Sequence, residues 1–343
     1  MKALFYILIF FVIATAFWQF FKLLGLTKKD QVATEKENNI NGWLMLMFVF
    51  VTYAILIVSF WKWGEVLLPK AASEHGQGID DLWLISMVLI FFVGFITLWL
   101  LSYFAFKYRG NKNNRALYFA DNDKLEFIWT VIPVIVLAGL IIYGLFTWTD
   151  IMNVSEDDDP MIVELYAYQF DWRARYSGED NTLGEANVRL IEGVNTLGVD
   201  LSDPNAQDDF ASKELHIPKG TRIIFKMRSQ DVLHSAYFPH FRTQMNTVPG
   251  YGTRMKFTPN KTTEEMRTIK NLPTFNYVLM CNKICGGAHY KMKLMVVVLE
   301  ESEYNAWMKG RAAKNFKATY FPAPAAPAAA ATPAKDTVKT AMN

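Results

Sequence analysis

The first 150 residues of the chain alternate long apolar stretches with short polar segments. Each apolar stretch is long enough to cross a hydrocarbon core of about 30 Å as an α-helix. The first stretch follows a lysine, as in a signal peptide, but it is long and no small-residue cleavage site ends it, so we expect a retained helix. We therefore predict four transmembrane helices, over residues 3–21, 42–61, 82–106 and 127–149.

Beyond residue 150 the pattern changes to short β-prone runs separated by turn signals. Turns are predicted where Pro and Gly come together, at residues 218–220 and 249–250. Such a pattern indicates an all-β sandwich or barrel. Alternating or continuously apolar runs predict its strands at residues 161–168, 221–227, 276–280 and 295–299.

Two segments stand apart from the predicted sheet. Residues 177–212 are rich in Gly, Asn and Asp and predict an excursion from the sheet. Residues 322–343 are Pro/Ala-rich and aperiodic, which is typical of a disordered or extended tail.

Sixteen acidic and four basic residues lie between positions 150 and 214. That surface could attract a basic partner, or it could simply be solvated.

Basic residues in the short loops indicate how the helices are oriented. They cluster between the third and fourth helices and just after the first, so both loops should be cytoplasmic. The β domain then lies in the periplasm, and we expect a multi-pass protein of a bacterial inner membrane, in contact with lipid.

The net charge is only +2, and no basic stripe with interleaved aromatic residues is present. Nothing in this pattern indicates a nucleic-acid partner.

The candidate chemistry is concentrated in twelve residues near the end of the predicted sheet. From Cys281 the chain reads Cys-Asn-Lys-Ile-Cys-Gly-Gly-Ala-His-Tyr-Lys-Met, which places Cys281, Cys285, His289 and Met292 at intervals of four, four and three. Two thiolates, an imidazole and a thioether suit copper better than magnesium or calcium. A loop between two strands could bring these ligands together.

The second cysteine requires a further explanation, because a mononuclear copper site uses a single Cys-His-Met set. Two thiolates can bridge two metal ions if each ion gains terminal ligands, so a second histidine is expected. His216 and His234 both precede the loop at apparent strand ends, and His234 follows the better strand. A disulfide between Cys281 and Cys285 is the alternative in an oxidising compartment.

These motifs resemble subunit II of cytochrome c oxidase. The Cys281 loop is similar to the family's CuA loop, and residues 231–250 are similar to the strand and turn that supply its upstream histidine. Residues 122–133, Asn-Asp-Lys-Leu-Glu-Phe-Ile-Trp-Thr-Val-Ile-Pro, resemble the start of its second transmembrane helix. The resemblance covers about residues 82–299 and implies a cupredoxin-like sandwich after the helices.

The resemblance also implies a ligand set and a function. Cys281 and Cys285 would bridge two coppers; His234 and Met292 would complete one, and His289 with the backbone carbonyl of Lys283 the other. Electrons would arrive from a c-type haem and leave to haem a in subunit I, where oxygen is reduced and protons are pumped. Subunit I and the other oxidase subunits would be its partners.

The sequence departs from the family pattern around this loop. Lys283 stands where the family usually has a glutamate that helps hold magnesium, so we do not expect magnesium of the usual kind. Gln244, Asn246 and Tyr251 replace the usual Lys, Asp and Arg. The family's polar contacts with subunit I are therefore not carried over.

Three further residues are assigned by resemblance. Phe170 occupies the position of the tryptophan proposed to receive electrons, and Trp172 matches a packed aromatic residue, although both could simply be core aromatics of a strand. Glu126 matches a carboxylate near the entrance of a proton channel in subunit I. A glutamate in the first turn of a helix is also favoured by the helix dipole alone.

Other protein classes fit the motifs less well. A quinol oxidase subunit would lack the copper ligands, and a copper chaperone of the Sco type would lack the His and Met that follow the second cysteine. Nitrous oxide reductase would need another large His-rich domain. No Cys-x-x-Cys-His haem motif is present. The donor should therefore be a separate c-type cytochrome or the haem domain of a neighbouring respiratory complex.

We expect four regions along the chain, two of them additions to the family's usual two-helix hairpin and copper domain. The two additional helices and the tail could provide a standing contact with the donor complex. The predicted regions are residues 1–80 (two additional transmembrane helices), 81–152 (transmembrane hairpin), 153–321 (periplasmic cupredoxin-like domain) and 322–343 (tail).

Overall fold

The computed structural model describes residues 2–25, 33–115, 117–155, 159–312 and 314–320. The predicted tail, residues 322–343, lies outside this part of the chain. The described residues form two compact units. The first comprises those within 1–67 and 87–130, and the second those within 68–86 and 131–320.

All four predicted apolar stretches are helical: α1 (Lys2–Gly25), α2 (Glu35–Leu67), α3 (Gly76–Lys107) and α4 (Asp123–Met152). Among the described residues, α2, α3 and α4 are each long and apolar enough to cross a membrane. Within α1, residues Ile9–Lys22 form a shorter apolar helix. The prediction of N-terminal membrane helices is therefore confirmed.

Within the first unit, α2 and α3 pack against each other through aromatic side chains. The rings of Trp43 and Phe106 are 4.7 Å apart, and those of Phe60 and Phe91 are 4.8 Å apart. Between these two contacts, the Tyr53 hydroxyl donates to the backbone carbonyl of Phe95. Because contacts with rising residue number in α2 meet falling numbers in α3, the two helices run antiparallel.

The second unit contains a sandwich of two five-stranded sheets. In the first sheet the order is β3 (Phe210–Ser212), β2 (Asp171–Tyr176), β1 (Met161–Tyr168), β5 (Ile223–Ser229) and β8 (Thr253–Phe257). In the second it is β4 (Glu214–Pro218), β10 (Lys293–Leu299), β9 (Tyr277–Cys281), β6 (His234–Phe238) and β7 (Thr243–Thr247). The predicted sandwich is confirmed.

Among the described residues, the sandwich is accompanied by three helices that the sequence pattern did not predict: α5 (Thr263–Lys270), α6 (Glu301–Ala312) and α7 (Phe316–Tyr320). α5 begins with a capping box between Thr262 and Glu265. This local signal was available in the sequence, but the helix is too short for a periodic apolar pattern to reveal it. Between the sheets lies a core of fully buried aromatic and aliphatic side chains that includes Trp172, Phe225 and Phe238.

The predicted excursion is a packed insertion that returns to the sheet as β3. Leu197, Val199 and Ala206 form a small apolar cluster with Tyr166 of β1 and Phe316 of α7. Two short 3₁₀ turns, Val188–Leu190 and Pro204–Ala206, shape its backbone. The insertion therefore has its own apolar contacts with the sandwich.

A buried ionic cluster joins this insertion to the first sheet. Arg175 donates to Asp209 through Nε and Nη2 and to Glu164 through Nη1, and Arg228 also donates to Glu164. The side chains of Arg175 and Asp209 are 1% and 0% exposed. Buried charges of this kind are tolerated when each has a partner. Loss of one partner would leave a carboxylate buried without its counter-charge.

Arg175→Leu should therefore lower the free energy of unfolding of the second unit by about 3–5 kcal/mol. Arg173→Leu is the matched control, because Arg173 and its partner Asp171 are 21% and 44% exposed and such pairs contribute about 0–1 kcal/mol. Chemical denaturation of the detergent-solubilised chain, followed by near-ultraviolet circular dichroism, measures both. Equal losses in the two variants would contradict the prediction.

His240 lies among core aromatic rings at the turn after β6. Its ring centroid is 5.2 Å from that of Phe275 and 5.4 Å from that of Tyr277. Burial lowers the pKa of His240 to about 4, and Lys270 and Arg242 act in the same direction. The folded chain therefore holds His240 in its neutral form at neutral pH.

The unfolded chain takes up this proton near a pKa of about 6.5, whereas the folded chain does so only near 4, so acid favours unfolding. As the pH falls from 7 to about 4.5, the wild-type chain should lose about 2 kcal/mol of stability from this residue. His240→Gln should remove that part of the pH dependence. Thermal unfolding of both proteins at both pH values checks this. The same loss of stability between the two pH values in the wild type and the variant would contradict the prediction.

Candidate metal centre

The strand order brings the predicted ligands to one end of the second sheet. β6 begins at His234, β9 ends at Cys281, and these strands are neighbours, with Ala236 opposite Cys281. β10 pairs with the other side of β9. The intervening loop is closed at its base, because the backbone N–H of Cys281 donates to the carbonyl of Met292.

The side chains and one backbone carbonyl converge within this loop. Cys281 Sγ lies 3.8 Å from His234 Nδ1 and 3.3 Å from the Lys283 carbonyl oxygen. Cys285 Sγ lies 3.5 Å from His289 Nδ1 and 3.8 Å from Met292 Sδ. The structure thus brings together all six predicted donors: His234, Cys281, Lys283, Cys285, His289 and Met292.

The two sulfur atoms are 3.9 Å apart and both cysteines are free. A disulfide would require about 2.0 Å, so the structure does not contain the alternative bridge. Two thiolates that bind one ion through bonds of about 2.3 Å can adopt a separation of this size. Ligand atoms of His234, Cys281 and Cys285 all lie within 4.8 Å of one another. The donor set therefore fits a metal centre with soft and borderline ligands.

Asp231 orients the upstream histidine, a role that the sequence reasoning missed. His234 is fully buried, and its Nε2 lies 2.8 Å from Asp231 Oδ1. An Nε2–H that donates to this carboxylate leaves Nδ1, on the Cys281 side, free to bind a metal. The spacing Asp-Val-Leu-His was the available signal, but it becomes informative only when the turn before β6 is known.

The two thiols differ in their electrostatic surroundings. Burial opposes ionisation of Cys281, but hydrogen bonds from His234 and from the backbone of Lys283 and Ser235 outweigh it and lower its pKa to about 6. Burial and the neighbouring Cys281 raise the pKa of Cys285 to about 11. Since the thiolate is the metal ligand, a metal that binds Cys285 must displace its proton.

Phe170 and Gln169 contact the metal-binding loop from the β1–β2 turn. The Gln169 side-chain amide donates to the Cys285 carbonyl. A Cβ built on Gly286 would lie 2.9 Å from the Phe170 ring, and Gly286 has a φ of +138°. A side chain at Gly286 would therefore be excluded by the ring and by the backbone conformation.

Trp172 lies on the buried side of the same turn. Its side chain is fully buried, and its ring contacts that of His234 edge to face at 6.1 Å between centroids. The packing expected for Trp172 is thus present next to a predicted ligand. Phe170, in contrast, is partly exposed.

His216 and Glu126 are not among these six donors. His216 is on β4 and stacks on Trp307 of α6 at 4.5 Å, which leaves His234 as the upstream histidine in the centre. Glu126 is in the exposed first turn of α4. Gln244, in contrast, supports the loop, because Asn282 Nδ2 donates to its Oε1 at 3.0 Å.

Comparison with known proteins supports the resemblance to cytochrome c oxidase subunit II. The family model for the transmembrane domain of cytochrome c oxidase subunit II matches residues 61–146. An alternative cytochrome c oxidase subunit 2 of Bradyrhizobium diazoefficiens is 31% identical over 268 residues, which cover 78% of this chain and 90% of that protein. The cytochrome c oxidase subunit 2 of Thermostichus vulcanus is 25% identical over 78% of this chain and 84% of its own length.

Solved structures give weaker overall matches. The periplasmic domain of subunit II of the Bradyrhizobium japonicum cytochrome oxidase is 21% identical, with 45% of this chain and 95% of that domain covered and a TM-score of 0.31. A chain of a haem–copper terminal oxidase dimer is 15% identical, with coverages of 52% and 99% and a TM-score of 0.32. On the sequence relationship to the Bradyrhizobium diazoefficiens protein, the chain belongs to the cytochrome c oxidase subunit II family.

Proposed function

We propose that this subunit receives electrons from a c-type haem and delivers them to haem a in subunit I, where oxygen is reduced and protons are pumped. The observation that carries this proposal is the convergence of two unbridged thiols with two imidazoles, a thioether and a carbonyl. Its setting is a bacterial inner membrane, with the β domain in the periplasm and the other oxidase subunits as partners.

The six donors would hold a dinuclear copper centre of the CuA type. Cys281 and Cys285 would bridge, His234 and Met292 would bind one copper, and His289 and the Lys283 carbonyl the other. A bound copper pair would spread the transferred electron over two metals and two sulfurs and so keep the structural change on redox cycling small. Lys283 offers no carboxylate, and we propose no magnesium at this position.

The protein contributes rigidity and exclusion of water at this site. β6, β9 and β10 hold the ends of the donor set, and Asp231 fixes the His234 ring. Met292 and Cys285 are 2% and 5% exposed, so water has little access to that side of the centre. Preorganised ligands need little rearrangement when the charge of the site changes.

Copper reconstitution of the detergent-solubilised chain tests the centre. The wild-type chain should bind two coppers and give an electron-spin signal from one electron shared equally between them. Cys285→Ser should abolish that shared signal, because one bridge is lost. Lys283→Ala is the matched control and should retain it, since only the backbone carbonyl binds. A single copper, zinc in preference to copper, or a disulfide in the purified chain would contradict the proposal.

Phe170 is proposed as the residue through which electrons reach the centre, because its ring contacts Gly286 beside Cys285 and part of it is exposed. Phe170→Leu keeps an apolar side chain against the loop but removes the aromatic ring. Electron transfer from a reduced c-type cytochrome should slow several-fold, with the copper signal retained, and Phe170→Trp should restore it. Rapid-mixing absorbance measures the rate; a wild-type rate in Phe170→Leu would show that the ring serves only packing.

A further inference from the structure

The connection between α2 and α3, residues 68–75, is hydrogen-bonded to the β sandwich. The backbone N–H groups of Ala72 and Glu74 donate to the carbonyls of His240 and Thr258 at 2.7 and 3.0 Å. The N–H of Asn260 donates back to the Ala72 carbonyl at 2.9 Å. Ala72 is fully buried in the main core of the sandwich. This connection is therefore an integral edge of the β domain.

Arg242 of the sandwich makes side-chain bonds to both the connection and the start of α3. Its Nε and Nη2 donate to the two carboxylate oxygens of Asp80, in the second turn of α3, at 2.6 and 3.0 Å. Nη2 also donates to the Pro69 carbonyl and Nη1 to the Pro239 carbonyl. The Arg242 side chain is 6% exposed. A paired fork of this kind fixes geometry as well as charge.

The backbone of Arg242 adopts a conformation that is rare for a residue other than glycine. Its φ is +53° and its ψ is +35°, the left-handed region, which glycine adopts without cost and other residues adopt rarely. A turn alone would be better served by glycine. The arginine at this position is explained by the bonds that its guanidinium makes.

Arg242 is connected directly to the strand that carries a metal ligand. β6 runs from His234 to Phe238, and a 3₁₀ turn, Pro239–Phe241, leads to Arg242. The Phe241 carbonyl accepts from the Ser73 hydroxyl at 2.9 Å. One end of β6 therefore bears His234, and the other end is tied to residues 69–80.

We propose that Arg242 is a positioning residue for electron transfer: through Asp80 and Pro69 it holds β6, and with it His234, in a fixed place relative to the start of α3. This inference rests on the proposed function. Electron tunnelling slows steeply with distance, so a subunit that delivers electrons to a neighbouring haem must keep its metal site from shifting. The structure provides this restraint at the far end of the ligand strand.

The test uses the purified oxidase with variants of this subunit. Arg242→Gly removes the guanidinium and leaves a residue that adopts the left-handed backbone freely. Transfer from the reduced copper centre to haem a, followed after rapid photoreduction, should slow several-fold. The near-infrared absorption and electron-spin signal of copper should stay as in the wild type, since no ligand or ligand partner changes. Arg242→Lys, which keeps one charge contact with Asp80, should restore part of the rate.

Arg267→Ala is the matched control. Arg267 also uses three nitrogens, towards the Phe275 carbonyl, Glu264 and Asn276, but it lies on α5 and does not contact residues 69–80. It should lower stability without a change in the transfer rate. If Arg242→Gly does not assemble, Asp80→Asn replaces it, with the same slowing expected.

A wild-type transfer rate in Arg242→Gly, or in Asp80→Asn where that variant replaces it, would overturn the inference. An altered copper spectrum in these variants would also overturn it, because the residue would then act on the site itself. Failure of the proposed function is a separate result: the wild-type oxidase would then lack the shared copper signal or any transfer from this subunit to haem a.

Discussion

The pairing of β6, β9 and β10 is the constraint on which the candidate metal centre depends. His234 and Cys281 are 47 positions apart in sequence, and they meet because β6 and β9 are neighbours in one sheet. The backbone bond between Cys281 and Met292 then closes the loop that carries the remaining donors. The two thiols are thus held close together without a covalent bond between them. The proposed copper ligands are the donors that this strand pairing brings together.

Burial divides the surroundings of this loop into two sides. On the core side, Trp172 and Met292 are packed and leave little freedom to the donors. On the outer side, Ile284 and Tyr290 are 87% and 78% exposed. Exposed apolar side chains beside a proposed redox site are typical of a surface that another protein covers. The proposed copper site would therefore be packed on its core side and open to a partner on its outer side.

The sequence predicted those features that depend on local pattern. Apolar runs predicted the four helices, and alternation predicted strand β1 at its observed bounds, since both signals are contained in consecutive residues. Strand β10 begins two residues earlier than predicted, at Lys293, because pairing with β9 and not hydrophobicity decides its first residue. All six donors could be named because a resemblance supplied their pairing.

The features that were missed depend on contacts between distant residues. Arg242 and Asp80 are 162 positions apart, and neither has a neighbouring residue that marks the pair. The insertion at residues 177–212 appeared as a polar excursion because its apolar residues are few and their partners Tyr166 and Phe316 lie elsewhere in the chain. Asp231 likewise gains its role only when the turn before β6 places it against His234.

The position of α7 has a consequence for the order of assembly. Phe316 completes the apolar cluster under the insertion, and its backbone N–H donates to the Asp209 carbonyl at 2.7 Å. The metal-binding loop ends at Met292, more than twenty residues before this closing contact. During synthesis the loop and its strands are therefore complete before the insertion is sealed. A chain truncated before Phe316 would therefore carry all the donors but lack this closing contact with the insertion.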